Sequence, residues 1–503
     1  MKKRILLVAS LLCIITMSMA QTLTPIETGI RKKLMAYNVV SRTHEGTEGQ
    51  HIIYSADLER GPGKGQCTDY IFTVDANENT LSTAMLYRSD DYTYLRSFEG
   101  PDAILVFYLK DSKSNKTYTL YSNIVPKGDR QPKWNPEKVV SVPYEKRDNI
   151  SIATAVSPDK NKGMICILQA QRKGEFKGSV LITFDNQGNQ LWESNMELSV
   201  PNQTFGVVDM AIDNDGKVYA GVYSYDEESK TKRANETLSI YEISENDITS
   251  QSESINFSVS NGTMIVGATG NVYLGGYSQS SLKKNEDGAY VVTYNPKNST
   301  ITKLSQQEFP ENYFDKVVGG GVMLGYLSND KYGVRVKGLY EFSNGSVALL
   351  GELRTTITVR QQNGLTTTYF FTKNIMTTLV GADGDIVKTD WYDSKAMSVA
   401  NFATTTYTPL FANDRIYVLF PDNVDNYGKK AGAPFKRVLA GLKKYCCSMV
   451  TIDANGIGEA QKLLDAKSCK NTVAKPVFVE EDGFIVIDYD KKNTNISKLK
   501  VEL

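Results

Sequence analysis

The sequence predicts an all-β chain assembled from repeated four-stranded antiparallel units, and three observations predict it. The first is a phrase, Gly216-Lys-Val-Tyr-Ala-Gly-Val-Tyr-Ser224, that returns as Gly270-Asn-Val-Tyr-Leu-Gly-Gly-Tyr-Ser278, with looser copies at Asn344-Gly-Ser-Val347, Asn413-Asp-Arg-Ile-Tyr417 and Glu481-Asp-Gly-Phe-Ile485. The second is a closing phrase, strand–turn–strand, found at Leu181 to Trp192, at Thr378 to Trp391 and at Val450 to Ile457. The third is composition: 29 Tyr, 18 Phe and 38 Gly suit pleated, half-buried strands joined by tight turns. A turn feeding an alternating strand, returning roughly every 50 to 75 residues, is the pattern of a β-propeller. Two β-sandwich domains with similar hairpins are the competing architecture.

Taken in order, the chain opens with a targeting signal at residues 1–20. Lys2-Lys3-Arg4 is a basic start, Ile5 to Ile15 an apolar stretch too short to span a bilayer comfortably, and Ser18-Met19-Ala20 a small-x-small cleavage site before Gln21. Residues 21–503 are then expected to form a single propeller domain. Pro25 to Tyr37 reads as a short leading helix or loose segment. His51 to Leu58, Tyr70 to Asp75 and Thr80 to Leu86 read as strands without a complete unit of their own. Units follow at 92–142, 151–200, 205–258, 262–309, 334–392, 404–465 and 474–502, the last with only three strands. A ring of such sheets avoids an open edge by pairing strands from the two chain ends. The N-terminal strands are therefore expected to complete the last unit, giving seven blades, with eight as the alternative.

The clearest unit shows the grammar. Val207 to Ile212 is its inner strand, Asp213-Asn-Asp-Gly216 a turn whose Asn and Gly accept positive φ, and Val218 to Ser224 the second strand. Leu238 to Ile243 alternates as a third strand should, and Thr249 to Val259 supplies the outer one. Helix is scarce. Its best candidate is Phe435 to Tyr445, where Phe435, Val438, Leu439 and Leu442 fall on one helical face.

Chemistry is thin by the same inspection. His44 and His51 are the only histidines and precede the clear units, so they read as ordinary surface or satisfied residues. No nucleophile-elbow, zinc-protease or phosphate-loop motif occurs, and Gly61 to Gly65 and Gly319 to Gly321 read as loops. Catalytic residues are unknown, and neither metal nor cofactor is expected. The Asp residues of 213–215, 383–385 and 453 sit where a carboxylate bonds its own turn. Lys+Arg and Asp+Glu both number 57, and removal of the three cations of the signal leaves 54 against 57. Such a balance gives no pull toward nucleic acid or an anionic membrane. No later apolar run is long enough for a transmembrane helix.

Five cysteines outlast cleavage: Cys67, Cys166, Cys446, Cys447 and Cys469. In an exported chain Cys446 with Cys469 or Cys67 is the pair to test, while Cys166 reads as a small buried residue. Two non-repeated features stand out. One is an insertion in the 404–465 unit that begins at Asp422 and carries Lys429, Lys430, Lys436, Arg437, Lys443 and Lys444 with no acid from 428 to 445. These six are the candidate partner-binding residues, a basic patch for an anionic polysaccharide or protein. The other is an elongated hairpin, Ser346 to Phe371, rich in Thr and aromatics.

The stretch from Lys337 to Trp391, with Asn413-Asp-Arg-Ile-Tyr-Val-Leu-Phe-Pro-Asp-Asn423, resembles a group of uncharacterised exported proteins of Bacteroidota-type bacteria. That resemblance covers the second half of the chain and implies a propeller-like fold without an activity. The sequence thus points to an exported propeller, in the periplasm, at the cell surface or outside the cell, that binds a protein or glycan of the envelope. The alternative is a carbohydrate-active enzyme with paired carboxylates in the propeller channel. If the signal reading holds, the exported protein begins at Gln21; intact-mass spectrometry that found residues 1–20 still attached would refute it.

Overall fold

The computed structural model describes residues 23–25, 39–45, 50–60, 66–75, 80–145, 148–171, 176–198, 200, 204–229, 232–280, 286–309, 333–360, 366–398, 406–426, 438–439, 445–458, 460–462, 473–480, 483–489 and 494–500. Within them the chain is an all-β propeller of successive antiparallel sheets, six of four strands and two of five. We number the blades in chain order: blade 1 (39–89), blade 2 (92–143), blade 3 (148–195), blade 4 (204–254), blade 5 (258–308), blade 6 (333–398), blade 7 (408–462) and blade 8 (473–500). Blades 2 to 8 are the seven units legible in the sequence.

Blade 1 is the additional sheet. The strands that lacked a unit of their own find an inner partner in Val39–Glu45, so they do not complete the last blade. That partner was invisible in the sequence because its two leading valines run straight into Ser-Arg-Thr-His-Glu, with no alternation to mark a strand. The last blade is completed instead by Leu23–Pro25, which pairs antiparallel with Thr494–Lys500 through Leu23 opposite Leu499. Both chain ends therefore share one sheet, and the pairing covers the edge that Thr494–Lys500 would otherwise expose.

The repeated phrase is the second strand of each blade, and the structure gives its reason. Val272–Gln279 is buried on both faces: Val272 and Leu274 pack toward blade 4, Tyr273 and Tyr277 toward blade 6. Val218–Ser229 divides likewise, with Val218, Ala220 and Val222 toward blade 3 and Tyr219 and Tyr223 toward blade 5. The hydrophobic core thus lies between blades. Clusters join blades 1 and 2, 2 and 3, 3 and 4, 4 and 5, 5 and 6, and 6 and 7. First strands of adjacent blades meet, whereas the last strands diverge, so the first strands are innermost.

The turns follow the predicted chemistry. Gly216 has φ +89°, and Asp213 Oδ1 accepts from the Asp215 and Lys217 N–H groups at 2.9 Å each. Asp383 and Asp453 accept from Asp385 N and Asn455 N in the same way. Gly351 in blade 6 has another role: a Cβ there would sit 2.1 Å from Tyr277 Oη of blade 5. Its carbonyl meanwhile accepts a 2.7 Å bond from Tyr407 Oη of blade 7. One glycine therefore joins three blades.

Two further expectations are corrected. The helix expected over Phe435 to Tyr445 is not formed: Val438–Leu439 is a short strand lying parallel to Ala396 and Met397 on the outer edge of blade 6, and Tyr445 begins a strand of blade 7. At Val438 and Leu439 the helical spacing was overridden by an open sheet edge that offered backbone hydrogen bonds, while Phe435 and Leu442 lie outside the described residues. The outer strand of blade 4 ends at Ser254, not Val259, because Phe257 already belongs to the packing with blade 5. Cys67 is buried in the core of blade 1, while the side chains of Cys446 and Cys469 lie outside the described residues. Cys166 is buried as expected, and burial pushes its thiol up to about 12.

A buried ion pair inside blade 1 is tied to blade 2 through Tyr108. Arg88 Nε lies 3.0 Å from Asp69 Oδ1, and Tyr54 and Tyr108 each donate to Asp69 Oδ2 at 2.8 Å. Asp69 is fully buried and Arg88 is 2 % exposed, so every partner is needed to offset the cost of desolvating both charges. Gly351→Ala tests the blade-to-blade packing: it is expected to cost about 1–3 kcal/mol by overpacking against Tyr277, read as a lower urea midpoint. An unchanged midpoint would mean that the close approach is not required.

Candidate functional site

Antiparallel order places the turns after first and third strands at one end of the propeller, and the connections after second and fourth strands at the other. The six sequence-selected cations, Lys429, Lys430, Lys436, Arg437, Lys443 and Lys444, lie outside the described residues. The flanks of their segment are described. Asp422 is buried and accepts from Asn426 Nδ2 at 2.8 Å and Ser448 Oγ at 2.9 Å, fixing a short 3-10 turn, Val424–Asn426, where the insertion departs. His44 and His51 lie in the strand ladder of blade 1, with side chains outside the described residues. The two Gly-rich segments lie outside them as well.

Near the innermost strands, three carboxylates repeat one device. Asp209 Oδ2 of blade 4 accepts from Met264 N and Thr263 Oγ1 of blade 5, both at 2.9 Å. Glu286 of blade 5 accepts from Val334 N of blade 6 at 3.2 Å and from Ser260 Oγ at 2.7 Å. Glu352 of blade 6 accepts from Tyr407 N at 3.1 Å and Thr406 Oγ1 at 2.9 Å, at the entry to blade 7. Each carboxylate catches the backbone of the following blade. Burial pushes the Asp209 carboxyl up, against the opposing pull of the Met264 and Met210 N–H groups, Thr263 and Arg96.

Charge accumulates around the last of these. Strand pairing sets Arg335 opposite Glu352, and Lys337 and Arg354 each follow two residues along, so these side chains gather at one region of blade 6. Lys337 occupies the extra position of a β-bulge between Val336 and Gly338. Arg354 Nε pairs with Glu352 Oε2, and Arg354 Nη2 reaches Thr406 Oγ1 at 2.8 Å. Lys337 Nζ also donates to Thr406 Oγ1, at 2.9 Å, and lies 4.9 Å from the centre of the Tyr407 ring. Among the described residues, three cations thus lie about one carboxylate. Glu352 is fully buried and the Arg354 side chain is 12 % exposed, whereas Arg335 is exposed. Partial desolvation, then the charge of Arg354, hold the Arg335 guanidinium below its ordinary value, and Glu352 offsets only part of this.

Sequence inspection missed this cluster. Its members are spread from 335 to 406, and only the register of blade 6 and its seam with blade 7 unite them. Among the described residues, no group of three or more His, Cys, Asp or Glu is gathered as a metal ion would require. No described helix is long and apolar enough to cross a membrane.

No family model matches the chain, and no curated relative does. Solved structures similar to it include the β-propeller domain of the Trilobed protease from Pyrococcus furiosus, at 10% identity and TM-score 0.36, covering 85% of this chain and 98% of that one. A protein of unknown function from Bacteroides caccae matches at 9% identity and TM-score 0.27 over 64% of this chain and 90% of its own. The Penicillium chrysogenum alpha-L-arabinanase, complexed with arabinobiose, matches at 9% and 0.34 over 74% and 98%. Likeness at this level assigns neither an activity nor a ligand to this chain.

Two substitutions separate the latch from the surplus charge. Glu352→Gln leaves buried cations without their counter-charge and is expected to cost about 3 kcal/mol. Arg335→Gln removes an exposed charge with no hydrogen-bond partner among the described residues and should change stability by no more than about 0.5 kcal/mol. Equal losses in thermal unfolding would contradict this division.

Proposed function

We propose that this chain is an exported β-propeller serving as a binding scaffold for a protein or glycan of the cell envelope, with residues 21–503 acting as one domain. The observation that carries the reading is the central hairpin of blade 6. Its inner strand ends at Gly333 opposite Arg354, yet the next two strands stay paired from Thr355 opposite Phe371 to Arg360 opposite Thr366. Among the described residues those extra pairs extend beyond the inner strand. The insertion of blade 7 leaves from the same kind of connection and returns to the edge of blade 6 at Val438–Leu439. Two non-repeated extensions therefore share one end of neighbouring blades, which is where a rigid scaffold carries variable recognition segments. In this reading Lys429, Lys430, Lys436, Arg437, Lys443 and Lys444 supply a basic contact for an anionic partner.

An enzyme acting on carbohydrate would need two carboxylates free to address a sugar. Asp209, Glu286 and Glu352 are each engaged with the following blade, which favours binding over that alternative.

The test is a pull-down from native envelope with the mature protein and two variants. One carries all six cations as Gln; the other replaces residues 356–370 with a two-residue turn. A partner recovered by the parent and lost from either variant supports the scaffold. A partner retained by both, or no partner together with cleavage of a polysaccharide panel, would sink it.

A further inference from the structure

Deepening that scaffold reading, and resting on it, we infer that the Arg335–Lys337–Arg354 cluster binds an oxyanion, the carboxylate, sulfate or phosphate group of an acidic saccharide. The first ground is charge. Among the described residues three cations gather beside one carboxylate, and that carboxylate is already committed: Glu352 accepts from Arg354, Thr406 Oγ1 and Tyr407 N. Among the described residues, the bonds across to Thr406 and Tyr407 come from Glu352, Arg354 and Lys337, and Arg335 makes none of them.

The second ground is organisation. Thr406 Oγ1 donates to Glu352 and accepts from both Lys337 Nζ and Arg354 Nη2, which holds two cationic heads in place before any ligand arrives. The Tyr407 ring, 4.9 Å from Lys337 Nζ, fixes that ammonium further. Arg335 stands exposed beside them, its guanidinium without a hydrogen-bond partner among the described residues. A guanidinium fork is shaped for two oxygens of a carboxylate, sulfate or phosphate. An oxyanion seated there meets a preformed positive field, and it relieves the repulsion between Arg335 and Arg354. The third ground is position: among the described residues Arg354 is the last of its strand opposite the inner strand, immediately before the further pairs of the blade 6 hairpin. A saccharide chain lying along that hairpin would bring its acidic groups to the cluster.

The experiment is calorimetric titration of the mature protein with potassium glucuronate, sulfate and phosphate, each at ionic strength matched with potassium chloride. Saturable binding of at least one is expected. Arg335→Gln should weaken it at least tenfold with an unchanged melting temperature, and Arg335→Lys should give an intermediate loss. Saturation by glucuronate identifies a uronic acid; saturation by sulfate or phosphate identifies an esterified sugar. No saturable binding of any of the three, or equal binding by Arg335→Gln, overturns the site. Failure is separable from that of the scaffold. A chain that captures an envelope partner but binds no anion keeps the scaffold and loses the site. One that binds an anion but captures nothing keeps the site and loses the scaffold.

Discussion

A second strand such as Val272–Gln279 has no solvent face, because its neighbouring side chains bury alternately against the blade before and the blade after. Removing roughly 25 cal/mol of hydrophobic stabilisation per Å² of exposed apolar surface makes a lone blade untenable. Every other feature answers that constraint. Small residues such as Gly351 stand where a tyrosine of the previous blade must enter, and the seam between the chain ends is made by a strand of only three residues, Leu23–Pro25.

Apolar packing is non-directional, so it does not by itself fix how far one blade slides or rotates on the next. The carboxylates supply that direction. Asp209, Glu286 and Glu352 each receive a backbone N–H from the following blade. At the turn end, Glu341 accepts from Thr269 N and Asp414 from Ser343 N, again across a seam. Ion pairs at exposed positions, such as Lys303 with Asp385, contribute little by comparison because solvent screens them. The buried Asp69–Arg88 pair is a different case, since its cost of desolvation is recovered only through the two tyrosines that complete it.

Blade 6 departs most from the common plan. Its Glu352 and Arg354 belong to the seam with blade 7, yet Arg335 beside them makes none of the bonds to Thr406 and Tyr407 among the described residues. The same blade carries the extended hairpin and accepts the short strand Val438–Leu439 from the insertion of blade 7. Departures from the repeat are thus gathered on adjoining blades, while blades 3 to 5 keep close to the common plan.

How much of this was legible follows from range of interaction. Turns such as Asp213 to Gly216 are decided within a few residues, by side-chain bonds to the local backbone and by a glycine at positive φ, so the sequence by itself determined them, along with the alternation of the strands and the all-β class. Val39–Glu45 was not legible, because an inner strand is recognised by its neighbours and not by its own pattern. The helix expected over Phe435 to Tyr445 failed for a related reason: local periodicity lost to a distant sheet edge. The blade seams, the completion of blade 8 by Leu23–Pro25, and the meeting of Arg335, Lys337, Glu352, Arg354 and Thr406 were decided only by tertiary structure. Each depends on register and on which surface faces which, and those are set when one blade covers the next.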